Sequence, residues 1–147
     1  VGHLELAHNY AYEAAMIDLR DLHHNSRDGL HMASLAGAWI ALVAGFGGLR
    51  DYGGRLRFDP ALPEGITRLI FRIRWRGVRL RVEVDHGEVT YSLHDGDDGE
   101  VGFNHDGEEV VVTADKPVTR PLKARVPLLD QPVQPVGREP AQRHPHL

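Results

Sequence analysis

One change of period divides this chain. Up to about residue 49 the apolar residues recur at three- and four-residue intervals, and from about residue 55 they alternate. The first pattern buries one face of a helix and the second buries one face of a strand. The chain must therefore place helices before strands and find cover for both kinds of apolar face. With 147 residues it has the length of one ordinary domain.

In the helical part, Leu4, Ala7, Ala11, Ala14, Ala15 and Met16 or Ile17 fall near helical spacing. Residues 1–20 read as the interior of a helix, and nothing at the front resembles a cap. Residue 1 is Val. A chain cut from something longer is the expectation that accounts for both features. The polar stretch His23-His24-Asn25-Ser26-Arg27-Asp28-Gly29 breaks the pattern. Beyond it Met32, Leu35, Ala36, Trp39, Leu42 and Val43 mark one buried face of a second helix. Ala33, Ser34, Ala36, Gly37, Ala38, Ala41 and Ala44 make that helix small on several sides, which predicts close neighbours all round. Gly45, Gly47 and Gly48 stop it.

The alternating part begins with Leu56 and Phe58 between Arg55 and Arg57. Leu69, Phe71, Ile73 and Trp75 alternate with Ile70, Arg72, Arg74 and Arg76. Leu80, Val82 and Val84 alternate with Arg79, Arg81 and Glu83, and Val89, Tyr91 and Leu93 follow. Turns at Arg76-Gly77 and His86-Gly87 make these strands hairpins with one wet face. Residues 95–99 form an acidic, glycine-rich loop, and residues 109–113 offer a further strand. The spacing predicts an antiparallel sandwich. Proline recurs through residues 116–147; residues 117–129 keep enough apolar character to dock as a last strand or strap, and an extended or disordered tail is expected beyond Asp130. The fold class is α+β, divided at residues 1–49, 50–115 and 116–147.

Composition narrows the function. A formal net charge of -4 and a pI near 6.2 disfavour nucleic acid. The absence of cysteine excludes disulfides, thiolate zinc sites, iron–sulfur clusters and cysteine nucleophiles. No apolar run approaches the roughly 18 residues that span a bilayer, and no signal peptide is evident. A cytoplasmic address without a membrane partner is the expectation.

Asp28-Gly29-Leu30-His31-Met32-Ala33-Ser34 is the segment most suggestive of chemistry. A helix start with a histidine and a hydroxyl can cradle phosphate or an oxyanion. The alternative is that Asp28 caps the helix while His31 and Ser34 pack locally. His23, His24 and His31 lack a metal-ligand spacing, so no metal and no cofactor are expected. The row Arg72, Arg74, Arg76, Arg79 and Arg81 reads as a solvated face paired with carboxylates such as Glu83 and Glu88. Trp39 and Trp75 are in phase with the core pattern. Gly45-Phe46-Gly47-Gly48 follows a helix and is no dinucleotide loop.

These residues resemble a family. Tyr12-Glu13 through Asp18-Leu19, then Asn25, Gly29-Leu30-His31-Met32-Ala33-Ser34, Gly37, Trp39 and Gly45-Phe46-Gly47-Gly48-Leu49-Arg50-Asp51 resemble the end of a family 65 glycoside hydrolase. That family includes the inverting maltose, trehalose, kojibiose and nigerose phosphorylases. Leu56-Arg57-Phe58-Asp59-Pro60-Ala61-Leu62-Pro63 and the hairpin at residues 69–84 are similar to its C-terminal β-sandwich domain. The resemblance covers residues 3–93. Ala36 and Ala38 depart from it, standing where glycine and threonine are common.

The resemblance implies that residues 1–49 finish an (α/α)6 catalytic barrel. It implies a phosphate site at His31 and Ser34, and partners that are inorganic phosphate and an α-glucosyl disaccharide, with a homo-oligomer compatible. Phosphate then attacks the anomeric carbon and a protonated glutamate serves the leaving sugar, an acid that belongs upstream. No catalytic residue is therefore assigned to this chain, and Glu5 and Glu13 sit in no matching motif. The competing reading is a free-standing β-sandwich that binds carbohydrate or a protein partner, with the helices as an accessory.

Overall fold

The computed structural model describes residues 2–21, 24 and 26–140. Helix α1 spans Leu4–Met16, and its N-cap His3 makes no side-chain cap bond. A 3-10 turn at Ser26–Asp28 precedes α2, which spans Met32–Ile40. The two helices pack on each other, yet neither contains a buried residue. The small-residue sides of α2 do not find the close neighbours expected all round, and of the face Met32, Leu35, Trp39 and Val43, which a chain cut from something longer is expected to leave exposed, only Val43 is buried. Met32 is 70% exposed and Trp39 54%, and an added Cβ at Gly37 would meet nothing within 4 Å. A pair of helices covers one flank of each partner and leaves the rest of a small-residue helix bare.

The end of α2 is where helix meets sheet. The chain continues from Ile40 as a π-helical turn over Ala41–Phe46, and the Gly47 N–H donates to Leu42 O at 2.8 Å. This widened turn drives Val43 and Phe46 into the core. The glycines that follow are sterically required. A Cβ on Gly47 would lie 2.5 Å from Val43 O and 2.6 Å from the Phe71 ring, and one on Gly48 would lie 2.2 Å from the Asp59 backbone.

Eight strands follow: β1 Arg50–Tyr52, β2 Arg55–Phe58, β3 Leu69–Trp75, β4 Val78–Val84, β5 Glu88–Leu93, β6 Glu100–His105, β7 Glu108–Thr113 and β8 Val118–Pro121. They form two four-stranded sheets, ordered β1-β2-β6-β7 and β3-β4-β5-β8. Both hairpin turns read from the sequence are present, and Arg76 and Gly77 take positive φ of 48° and 92° between β3 and β4. All pairings are antiparallel except one: β2 and β6 run parallel, with Arg57 opposite Asn104 and Phe58 opposite His105. That exception follows from the route. After β2 the chain crosses to build β3–β5 in the other sheet, and it re-enters beside β2 in the same direction.

Between the sheets Phe58, Tyr91 and Phe103 form a triangle with centroid separations of 5.2, 5.0 and 4.5 Å. Beside it His105 is 4% exposed, and its Nδ1 accepts from the Tyr91 hydroxyl at 2.9 Å. The Pro121 backbone also bonds the ring, so one imidazole joins β5, β6 and β8. The segment after β8 is strapped down by ions: Lys123 reaches Asp106 at 2.5 Å, and Arg125 pairs with Asp59. Residues 131–140 contain no helix or strand and run along α1, where the Tyr10 hydroxyl lies in hydrogen-bond reach of Gln134 Oε1 and, at 3.0 Å, of the Arg138 carbonyl. The extended segment beyond Asp130 is thus anchored as far as the described residues go, a contact that its proline-rich composition does not announce. Residues 141–147 lie outside the described residues.

Burial lowers the His105 pKa from its ordinary 6.5, more strongly than Asp106, the Pro121 backbone bond and Glu108 raise it. The folded state then prefers the neutral ring. Its contribution is complete above 6.5 and is lost as the pH falls toward the lowered value, because the unfolded chain takes up the proton first. Urea denaturation should show stability declining below that pH, and His105→Gln should lower stability at neutral pH and flatten the decline. A profile with the same slope in the variant would contradict this role.

Candidate functional site

The start of α2 is set by a local sequence that cannot continue a helix backwards. Gly29 sits at φ +124°, and His31 takes the N-cap position without capping through its side chain. Asp28 is not the cap that one reading of the sequence expected. It closes the 3-10 turn and lies 3.8 Å from Arg27. The His31 carbonyl accepts the first bonds of the helix, from Ser34 N at 2.9 Å and Leu35 N at 3.1 Å, while Met32 N donates to Leu30 O at 3.0 Å.

His31 is held by a residue that the sequence places thirteen positions away. The Asp18 carboxylate, just beyond α1, accepts from His31 twice: Oδ2 from the backbone N–H at 2.9 Å and Oδ1 from ring Nδ1 at 2.5 Å. The Asp18 side chain is only 7% exposed, and that of His31 is 32% exposed. The ring hydrogen bond, reinforced by the backbone one, holds the Asp18 carboxyl below its ordinary value against the opposing effect of desolvation. A carboxylate on Nδ1 fixes the tautomer and the ring plane, so contact between this ring and a ligand runs through Nε2.

Ser34 stands in the first turn of the same helix, and its hydroxyl donates to Ala14 O of α1 at 2.7 Å. The structure thus brings His31 and Ser34 to one end of α2 and ties both to α1. It commits the Ser34 proton to the helix pair, so its oxygen meets a ligand as a donor only after rotating away from Ala14. Asp18 is the functional neighbour that sequence reasoning missed. It lay inside the motif Asp18-Leu19, but no periodicity links it to a residue across the break.

Of the histidines considered for metal, His23 lies outside the described residues, and His24 lies 3.9 Å from Asp21. Among the described residues no group of three His, Asp or Glu side chains converges on a point. The arginine face is partly paired. Arg79 grips Asp97 through both Nε and an Nη at 3.2 and 2.9 Å, and Arg81 and Arg68 both meet Glu83. Among the described residues Arg72 and Arg74 form no such pairs. No described helix is long and apolar enough to cross a membrane.

Comparisons with known proteins point to one family. The C-terminal domain of glycosyl hydrolase family 65 matches residues 49–112, and the central catalytic domain of the same family matches residues 1–40. An uncharacterized glycosyl hydrolase of Mycobacterium leprae is 64% identical over 97% of this chain, which spans 18% of that relative's length. An alpha,alpha-trehalose phosphorylase of Thermoanaerobacter brockii is 38% identical over 70% of the chain and 13% of its own length. Among solved structures, one from the human microbiome provisionally assigned as a kojibiose phosphorylase superposes with a TM-score of 0.70 at 26% identity, covering 77% of this chain and 15% of its own.

Asp18 tests the clamp on His31. Its lowered pKa means that its contribution is complete above the ordinary value of 3.8 and is lost as pH falls through the lowered folded value. Asp18→Asn should lower the melting temperature at neutral pH, with the gap to the parent narrowing as the pH drops below 3.8. A constant gap across that range would show that the carboxylate charge contributes nothing.

Proposed function

The chain belongs to glycosyl hydrolase family 65, and on that premise we propose that it is the C-terminal portion of a disaccharide phosphorylase, with His31 and Ser34 in the phosphate site. In this reading residues 1–49 complete the helical catalytic barrel, residues 50–115 are the C-terminal sandwich, and residues 116–147 are a proline-rich strap and tail. The observation that carries it is the Asp18–His31 pair at the start of α2, 2.5 Å apart, which presents an oriented imidazole beside a hydroxyl at a helix N-terminus.

The chemistry is the one that family membership implies. Phosphate, held near His31 Nε2, attacks the anomeric carbon of an α-linked glucoside from the face opposite the leaving sugar. The new bond joins a phosphate oxygen to that carbon, and the glycosidic carbon–oxygen bond breaks with its electron pair on the leaving oxygen. A carboxylic acid outside this chain supplies the proton, and the product is β-glucose 1-phosphate. Phosphate occupies the place that a base-activated water takes in a hydrolase, so a site that binds an anion selects phosphorolysis. The role of Ser34 requires its hydroxyl to turn from Ala14 toward the anion, which exchanges one hydrogen bond for another of charge-assisted strength.

The test is kinetic, on the full-length protein that carries this sequence, assayed against trehalose, kojibiose, maltose and nigerose. His31→Ala should raise the phosphate KM at least tenfold, about 1.4 kcal/mol of lost binding, with a smaller change in the disaccharide KM. Asp18→Asn should act in the same direction more weakly. A rate whose phosphate dependence is unchanged in His31→Ala overturns the assignment, and glucose released without phosphate would identify a hydrolase.

A further inference from the structure

A groove of about 750 Å³ crosses the outer face of the β1-β2-β6-β7 sheet, remote in sequence from His31. Its floor is Gly102, in the middle of β6. Glycine inside a strand weakens it and needs a reason, such as a close backbone approach or a ligand. Backbone conformation is no reason here, since the φ of Gly102 lies outside the left-handed region. Packing is none either, because a Cβ would meet only Val111 Cγ2, at 4.0 Å. The fold would accept a side chain, and its absence opens the groove.

The walls are chemically specific. Arg57, Asn104 and Glu109 lie opposite one another across β2, β6 and β7, so three polar side chains form one row on the exposed face. Asn104 Oδ1 already accepts from the Gly107 N–H at 2.9 Å, which leaves its Nδ2 donors for the groove. Arg55, two residues before Arg57, shares that face. Among the described residues the side chains of Arg55, Arg57 and Glu109 make no hydrogen bond or ion pair within the chain. At one end stands Trp75, half-buried, with the Arg76 guanidinium 5.5 Å from its ring centre and fixed to Gly54 O at 3.0 Å. The lining holds three arginines against one carboxylate, an excess of positive charge in a chain whose net charge is -4.

We propose that this groove binds a phosphorylated monosaccharide. Two neighbouring guanidiniums without internal partners suit a phosphate dianion, which accepts from both. Asn104 and Glu109 supply the donor and acceptor that sugar hydroxyls use, and the glycine floor beside Trp75 admits the ring. A neutral glycan would leave the paired arginines uncompensated, and free phosphate would leave the Asn104–Glu109 end unused. The inference rests on the groove alone and stands or falls separately from the role of His31.

The experiment is calorimetric titration of the 147-residue chain with β-glucose 1-phosphate at low ionic strength, with inorganic phosphate and maltoheptaose as comparison ligands. Saturable binding of the sugar phosphate is expected, at least tenfold tighter than either comparison ligand and weakened by added salt. Gly102→Val, which fills the floor with a good strand former, and Arg57→Ala should each weaken it at least tenfold, while Arg72→Ala, an exposed arginine of β3 outside the groove, leaves it unchanged. Should Gly102→Val fail to fold, the Arg55→Ala/Arg57→Ala double variant on the exposed face decides. No binding, equal affinity for inorganic phosphate, preference for maltoheptaose, or full retention in the groove variants would each overturn the proposal. Loss in His31→Ala alone would place the ligand at α2 instead.

Discussion

The joint between helix and sandwich rests on two positions where no side chain fits. Gly47 lies against the Phe71 ring and Gly48 against the Asp59 backbone, each at a distance that a Cβ would make impossible. Because these contacts are so close, the π-helical turn can sink Val43 and Phe46 into the same core as Phe71 and Phe58. Two hydrogen bonds lock the joint, from Asp59 N to Gly48 O at 3.2 Å and from Ala61 N to Phe46 O at 2.9 Å. The direction of α2, and with it the place of His31 at the far end, is fixed by this joint and by the α1 contacts at Asp18 and Ala14. The sandwich carries the site without contributing to it.

Much of the sandwich is legible in the sequence because its signals are local. Alternation names Leu56, Phe58, Leu69, Phe71, Ile73, Trp75, Leu80, Val82, Val84, Val89, Tyr91 and Leu93 as core, and all are buried except Leu69, Ile73 and Trp75, which are half-buried at its margin. The hairpin turns need only neighbouring residues. What alternation misses is β6, where Gly102, Asn104 and His105 interrupt the apolar count although Val101, Phe103 and His105 all face inward. The parallel pairing of β2 with β6 is invisible for a related reason: it joins residues more than forty positions apart, as Arg57 and Asn104 show, and depends on which sheet each intervening hairpin enters. The same limit hides Asp18 from His31. Periodicity describes faces, and neither a long-range pairing nor a carboxylate clamp is a face.

Trp39 and Trp75 show how far phase alone can mislead. Both occupy apolar phases. Trp75 packs against the core because the opposite sheet is in the chain to receive it. Trp39 is exposed because α1 covers only one flank of α2. The same holds for Met32, Leu30 and Ile40. A sandwich of two four-stranded sheets closes its own core, whereas a helix pair has only one buried seam.

That asymmetry bears on how the site works. Hydrogen bonds to Asp18 and to Ala14 of α1 position His31 and Ser34, so their local geometry is set even while the adjoining apolar face is bare. Their electrostatic setting is a different matter. An imidazole with 32% of its side chain in water interacts weakly with an anion, because solvent screens both. Covering the face of Met32 and Trp39 would lower the dielectric around Nε2 and strengthen the proposed contact with phosphate while leaving the Asp18 clamp as it is. The chain spans 18% of its mycobacterial relative, and the central catalytic domain of family 65 matches residues 1–40 of this chain. The clamp is built from Asp18 and the start of α2, and the exclusion of water, on which anion affinity depends, is a separate requirement that the clamp does not meet.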